Sequence, residues 1–112
     1  IVSISPETLA QKQAADSNIA ILDVRKASEF GSEHIINAQN APLDFINESM
    51  ASIDKDKTYF VHCAGGYRSM IFISILKARG FDNLVDIKGG FNAIKESGKF
   101  TLSEYVSPTT ML

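Results

Sequence analysis

The stretch covering residues 58–79 does most to limit what this chain can fold into. It reads T-Y-F-V-H-C-A-G-G-Y-R-S-M-I-F-I-S-I-L-K-A-R. Residues 58–62 form a β-rich run leading into Cys63, the only cysteine. Residues 63–68 make a tight turn that holds two glycines, Gly65 and Gly66. Ser69 is predicted to open a strongly apolar helix that runs to about Arg79. A strand, a glycine loop and a helix N-terminus in succession build an anion cradle.

That placement carries chemistry. A free thiol has a pKa of about 8.5, so only a few per cent is thiolate at neutral pH. At a helix N-terminus beside an arginine, a thiol's pKa can fall to roughly 3.5–7.5. A drop of about two units corresponds to about 2.7 kcal/mol in favour of the anion. Glycine backbones reach angles that other residues avoid, so successive N–H groups of this loop can turn toward the sulfur and whatever is bonded to it. Arg68 adds a permanent charge and a planar fork suited to an oxyanion. Ser69 is a good N-cap residue. The competing reading is a buried core cysteine, the commoner fate of a free thiol. A core cysteine needs neither a Gly-Gly turn nor an arginine beside it.

The loop H-C-A-G-G-Y-R-S, residues 62–69, resembles the active-site loop of rhodanese domains, the thiosulfate and persulfide sulfurtransferases. Three further stretches are similar to that family. Ile21, Leu22, Asp23, Val24 and Arg25, followed by Glu29 and Phe30, match its D-V-R-x-x-x-E-[FY] segment. His34, Ile35, Ala38, Ala41 and Pro42 match its G-H-I-x-G-A-x-x-[IL]-P segment. Val85 to Phe91 match its late [VL]-x-G-G-[FWY] segment. The four occur in the family's order across roughly residues 2–97. Two positions depart from the pattern: Glu33 and Asn37 stand where the family has glycine. Asn tolerates left-handed backbone best after Gly, so the turn at Asn37 is expected to survive.

The resemblance implies a rhodanese-like three-layer α/β fold with a mostly parallel sheet. It implies sulfur transfer through a persulfide on Cys63, with Ala64, Gly65, Gly66, Tyr67, Arg68 and Ser69 as the substrate-binding loop. The reaction needs no metal or organic cofactor. The partners implied are a small sulfur donor and a thiol acceptor, with a fused or partner domain as a further option. Three rivals stand beside this reading. Phosphatases and arsenate reductases of related fold have a similar loop but space cysteine and arginine as C-x5-R; here Cys63 and Arg68 give C-x4-R. Non-catalytic modules of the family often lack the cysteine that this chain keeps. A relay domain excised from a larger enzyme shares the same chemistry; the Ile1 start and the loop wording resemble rhodanese domains fused to metallo-β-lactamase-fold persulfide proteins.

Composition narrows the field further. The 112 residues are expected to form a single domain, with 45% apolar residues to build its core and a tail from residue 98. A net charge of −2 offers no basic surface for nucleic acid. No apolar run approaches the ~20 residues needed to span a membrane. No signal peptide is visible, and the start at Ile1 rather than Met points to a processed or excised chain. A lone thiol rules out an internal disulfide and suits a reducing, cytoplasmic compartment.

In chain order, residues 1–4 are β-like, and Ser5-Pro6 starts a helix ending near residues 16–18. Residues 19–24 read as a strand buried on both faces. Asp23 and Arg25 lie at its C-terminal end, where ligands bind in open α/β sheets. They are read first as an ion pair bracing loops and second as substrate contacts. Residues 26–30 suggest one helical turn, residues 36–41 a short strand, and residues 43–53 a helix with Phe45, Ile46, Met50 and Ile53 on one face. His34 is read as a loop-bracing donor, and residues 54–57 as a solvated polar turn. Strand alternation points His62 away from the cradle. Tyr67 is either a rim residue or a packing residue. The helix after the loop is apolar nearly all round, which predicts a central, buried helix. Gly80 suits its C′ position. Another strand, a Gly89-Gly90 turn and a last short helix follow. Phe100, Leu102, Tyr105 and Val106 in the tail either strap back on the body or belong to a connector. Strands alternating with helices argue independently for an α/β fold with a parallel sheet.

Overall fold

The structure, a computed structural model, describes residues 1–104. Five short strands form one parallel sheet: β1 (Ser3–Ile4), β2 (Ala20–Asp23), β3 (Gln39–Asn40), β4 (Tyr59–His62) and β5 (Leu84–Ile87). Their order across the sheet is β1-β5-β4-β2-β3. The central three are apolar on both faces, as expected for strands covered by helices on either side. In register, Asp23 lies beside His62 and Asn40, and Val61 lies beside Asp86. The C-terminal ends of β2 and β4 therefore deliver Arg25 and Cys63 to the same end of the sheet.

The helices are α1 (Pro6–Ala15), α2 (Ala27–Ser32), α3 (Ile46–Ala51), α4 (Tyr67–Ala78) and α5 (Gly90–Ser97). Ser5 caps α1: its hydroxyl accepts the Thr8 N–H at 3.1 Å, and Pro6 occupies the first helical position. One face of the sheet packs Leu22, Val24, Tyr59, Val61, Cys63 and Leu84 against Phe72, Ile73 and Leu76 of α4. The other face packs Ile21, Phe60 and Ile87 against Leu9 of α1 and Phe91 and Ile94 of α5. Alternation along β4 thus puts Cys63 on the α4 face, in step with Tyr59 and Val61.

Three expectations need correction. Residues 43–53 are not one helix: a 3-10 turn at Leu43–Phe45 precedes α3. Phe45 breaks the helical path with φ −120° and ψ 42°, and its side chain is 60% exposed rather than packed. Second, α4 is buried on one face only. Met70 and Ile71 are exposed, because among the described residues no element covers the side of α4 that faces away from the sheet. Third, α4 begins at Tyr67, and its N-cap is Gly66 rather than Ser69. At the other end, Gly80 takes φ +91°, as its place after the helix requires.

The tail does strap back through Ser103. Leu102 bridges antiparallel to Ile35, Ser103 N–H donates to the His34 carbonyl at 2.8 Å, and Phe100 and Leu102 pack on the α1–α5 face. Tyr105 and Val106 lie outside the described residues. Asn37 has φ +74°, so the turn that glycine usually makes in this position is kept. Among the described residues, no helix is long and apolar enough to cross a membrane.

Candidate active site

Cys63 follows the last residue of β4 and is buried, with 1% of its surface exposed. The loop then turns back over it. Gly66 has φ +103°, a left-handed angle that lets its N–H face the sulfur, and that N–H donates to Sγ at 3.0 Å. The same residue caps α4, so the sulfur sits at the positive end of a 12-residue helix. Ala64 is half-buried, Gly65 is exposed, and Tyr67 is 80% exposed at the rim.

Ser69, expected as the cap, lies inside the first turn of α4 and is fully buried. Its hydroxyl sits 3.6 Å from Cys63 Sγ and 2.7 Å from Asp86 Oδ1. Arg68 turns its fork onto Glu29 of α2, with N–O distances of 2.6 and 3.0 Å. The Arg68 hydrogen bond, followed by the opposing effect of burial, leaves Glu29 with a carboxyl pKa lowered from 4.5 to about 2. Glu29 likewise raises the arginine's pKa. The permanent charge that Arg68 brings to the loop is therefore countered by a carboxylate.

Asp23 and Arg25 are engaged with each other. Arg25 Nε lies 3.0 and 3.1 Å from the two carboxylate oxygens and Nη2 lies 2.7 Å from Oδ2. Arg25 Nη2 also donates to the Glu33 carbonyl, and its guanidinium lies 4.1 Å over the Phe91 ring. This arrangement is the loop-bracing reading of the pair. His34 braces as well: Nδ1 lies 2.7 Å from the Phe30 carbonyl, and the ring stacks on Phe30.

With that geometry in view, the comparisons with known proteins are specific. The Rhodanese-like domain family model matches residues 5–97. The chain belongs to the rhodanese-like domain family. The Bacillus subtilis protein YtwF, provisionally named a sulfurtransferase, is 36% identical over 83% of this chain and 89% of its own length. An uncharacterised Synechocystis protein, slr1261, is 31% identical over 99% of this chain; the chain spans 62% of that relative's length. The crystal structure of a rhodanese-like domain protein from Staphylococcus aureus superimposes with a TM-score of 0.78 at 34% identity, covering 84% of this chain and 91% of that one. The rhodanese-like fold is thereby shown, and sulfur transfer is the general activity that the named relatives support.

Several residues of this rhodanese-like site escaped the sequence reading. Gly89-Gly90 is more than a turn. Gly90, at φ +60°, brings the start of α5 against the loop backbone; a Cβ there would sit 2.6 Å from the Cys63 carbonyl oxygen and 2.7 Å from Ala64 backbone atoms. The closeness lets Phe91 N–H donate to the Cys63 carbonyl at 2.6 Å and Asn92 N–H to that of Ala64 at 3.0 Å. Glu29 was legible as a motif residue but not as the partner of Arg68. Asp86 was legible only as a position within the Val85 to Phe91 segment; the structure places it buried, one position inside the end of β5.

His62 points to the opposite face, as alternation predicts. Its ring is fully buried and stacks near Phe91, with Nδ1 3.1 Å from the Cys63 carbonyl oxygen. Nε2 has no hydrogen-bond partner among the described residues and lies 3.8 Å from Asp23 Oδ2. Burial is the largest influence on the ring and lowers its pKa below 6.5, against the opposing pull of Asp23 and the Cys63 carbonyl.

Proposed function

We propose that this domain moves sulfane sulfur through a persulfide on Cys63. The thiolate attacks the outer sulfur of thiosulfate or of a thiol persulfide. The donor's S–S bond breaks, and its electron pair leaves on sulfite or on the donor thiolate. A thiol or cyanide then attacks the outer sulfur of the Cys63 persulfide, and Cys63 departs as a thiolate. This is covalent catalysis in two displacements. The observation that carries the reading is the Gly66 N–H on Sγ at 3.0 Å, within a glycine loop at the head of α4. The loop from Ala64 to Ser69 holds the transferred sulfur, with Tyr67 on the rim; Asp23 and Arg25 support it from behind.

The C-x4-R spacing favours sulfur over a phosphoryl group. With one residue fewer than a C-x5-R loop, the N–H groups converge on a smaller volume. We read residues 1–112 as one domain with its core at about 2–97, acting on a small sulfur donor and a thiol acceptor, alone or as a relay beside a fused or partner domain. The experiment is intact mass after incubation with thiosulfate or glutathione persulfide. Wild type should gain about 32 Da, one sulfur atom, and Cys63→Ser should gain nothing. A mass gain retained in Cys63→Ser, or none in wild type with either donor, refutes the proposal.

A further inference from the structure

Asp86 is a buried carboxylate that the proposed chemistry leaves without a task. It is 5% exposed, on β5, and two hydroxyls donate to it: Ser3 Oγ to Oδ2 at 3.1 Å and Ser69 Oγ to Oδ1 at 2.7 Å. Ser69 is also the neighbour of Cys63 Sγ at 3.6 Å. A serine hydroxyl has one proton and two lone pairs. Three acceptors compete for that proton: Asp86 at 2.7 Å, the Gly66 carbonyl at 3.3 Å and, when ionised, the Cys63 sulfur at 3.6 Å. The shortest contact is to a carboxylate, and a charge-assisted bond is about twice as strong as a neutral one. With its proton committed there, Ser69 presents lone pairs to the sulfur. A thiol S–H can donate to such a lone pair; a thiolate meets it as repulsion.

We propose that Asp86, acting through Ser69, is a positioning residue that holds a proton on the resting Cys63 thiol and makes Cys63 a poorer leaving group. This rests on the sulfurtransferase reading for its consequence but not for its geometry. In the second displacement, the acceptor thiolate bonds to the outer sulfur and the S–S bond breaks. The electron pair passes to Cys63 Sγ, which takes a proton from solvent and keeps it, the resulting S–H pointing at a lone pair of Ser69 Oγ. A leaving thiol of higher basicity departs more slowly. Asp86 therefore slows the departure of Cys63, so the loaded sulfur stays until a strong acceptor arrives. In the persulfide, the mobile charge lies one sulfur farther out, so Asp86 opposes the loaded state less than the free thiolate.

The other charged and titratable groups around the trio are Arg68 of α4 with its partner Glu29, Asp23 and Arg25 after β2, and His62 on the opposite face. β1 contributes only the uncharged Ser3, and Lys88 beyond β5 is exposed. Asp86→Asn leaves all of these in place.

The test is iodoacetamide alkylation of Cys63 against pH, read by intact mass, which needs no sulfur transfer. Asp86→Asn should lower the pH midpoint by about one unit, roughly tenfold in the ionisation equilibrium. Well below the midpoint, alkylation should run about threefold faster, since the weaker base is also a weaker nucleophile. Release of sulfur from the loaded protein to glutathione should also quicken about threefold. Ser69→Ala should move the midpoint in the same direction, and in that background Asp86→Asn should add less than half its original shift. An unchanged or raised midpoint in Asp86→Asn overturns the proposal. Should that variant not fold, Ser69→Ala decides alone: a raised midpoint there would mean that the hydroxyl donates to the thiolate, and the proposal fails. If wild type takes up no sulfur, the proposed function falls while the alkylation result still stands.

Discussion

His62 should make this fold acid-sensitive well above the range of ordinary carboxylates. Its ring is fully buried behind Phe91, and burial keeps its pKa below the usual 6.5. In the unfolded chain the same ring takes a proton at about pH 6.5. Below that pH the unfolded state binds one proton more than the native state. Stability therefore rises with pH across this window, by about 1.4 kcal/mol per pH unit for one proton. The contribution is present above about pH 6.5 and is lost as pH falls through the lowered native value. Between about pH 6.5 and 5 the loss is at most about 2 kcal/mol, a sizeable share of a small domain's ~5–15 kcal/mol.

His62→Phe keeps an aromatic ring beside Phe91 and removes the titration. The assay is a series of urea unfolding curves from about pH 7.5 to 5 for both proteins, comparing slopes of free energy against pH rather than absolute values. The wild-type slope should exceed the variant's by up to about 1.4 kcal/mol per pH unit below about pH 6.5. Parallel slopes would show that the native ring titrates as the unfolded one does, and that Asp23 at 3.8 Å offsets burial after all.

The Glu29–Arg68 pair is about one-third exposed on each side, so Glu29→Gln should cost only about 0.5–1 kcal/mol at pH 7. Because the Glu29 pKa is lowered to about 2, that difference should hold above about pH 4.5 and vanish as pH falls toward 2; a difference that persists there would mean the carboxylate is not the cause. Arg68→Ala should raise KM for thiosulfate more than for a neutral persulfide donor, measured by initial rates, and equal effects on both would remove Arg68 from anion recognition. Gly90→Ala should destabilise the fold by at least about 2 kcal/mol, read by urea unfolding, since its Cβ would meet backbone at 2.6 Å and its φ is +60°.

The parts of the fold that depend on neighbouring residues could be read from the sequence. Ser5-Pro6 started a helix, Gly80 followed one, and the run around Ile21 became a central strand because each signal is local. The cysteine loop was legible for the same reason: strand, glycines and helix are contiguous. Parts that depend on distant residues were not. Ser69 is a favourable cap by type, but α4 begins two residues earlier at Tyr67, and inside the first turn the Ser69 hydroxyl donates to the Asp86 carboxylate that β5 places 2.7 Å away. Arg68 faces Glu29, 39 residues away, and no spacing rule reports that contact. Helix α4 is apolar nearly all round in sequence, yet the described residues cover it on only one side, so Met70 and Ile71 stay exposed.

Part of what holds the cysteine loop in shape comes from outside the loop. A trans peptide unit aims its C=O and its N–H in opposite directions. The carbonyls of Cys63 and Ala64 are both bound by N–H groups at the start of α5, at 2.6 and 3.0 Å. The N–H groups sharing those two peptide planes, on Ala64 and Gly65, are thereby aimed away from α5. Buried backbone groups must find partners, and here each carbonyl's partner also fixes the direction of the next donor. That preorganisation requires α5 to approach within hydrogen-bond distance, and Gly90 is the residue whose missing side chain permits it. A second glycine pair, 24 residues beyond the first, therefore belongs to the same site: Gly65-Gly66 shapes the loop, and Gly89-Gly90 lets the fold hold it in that shape.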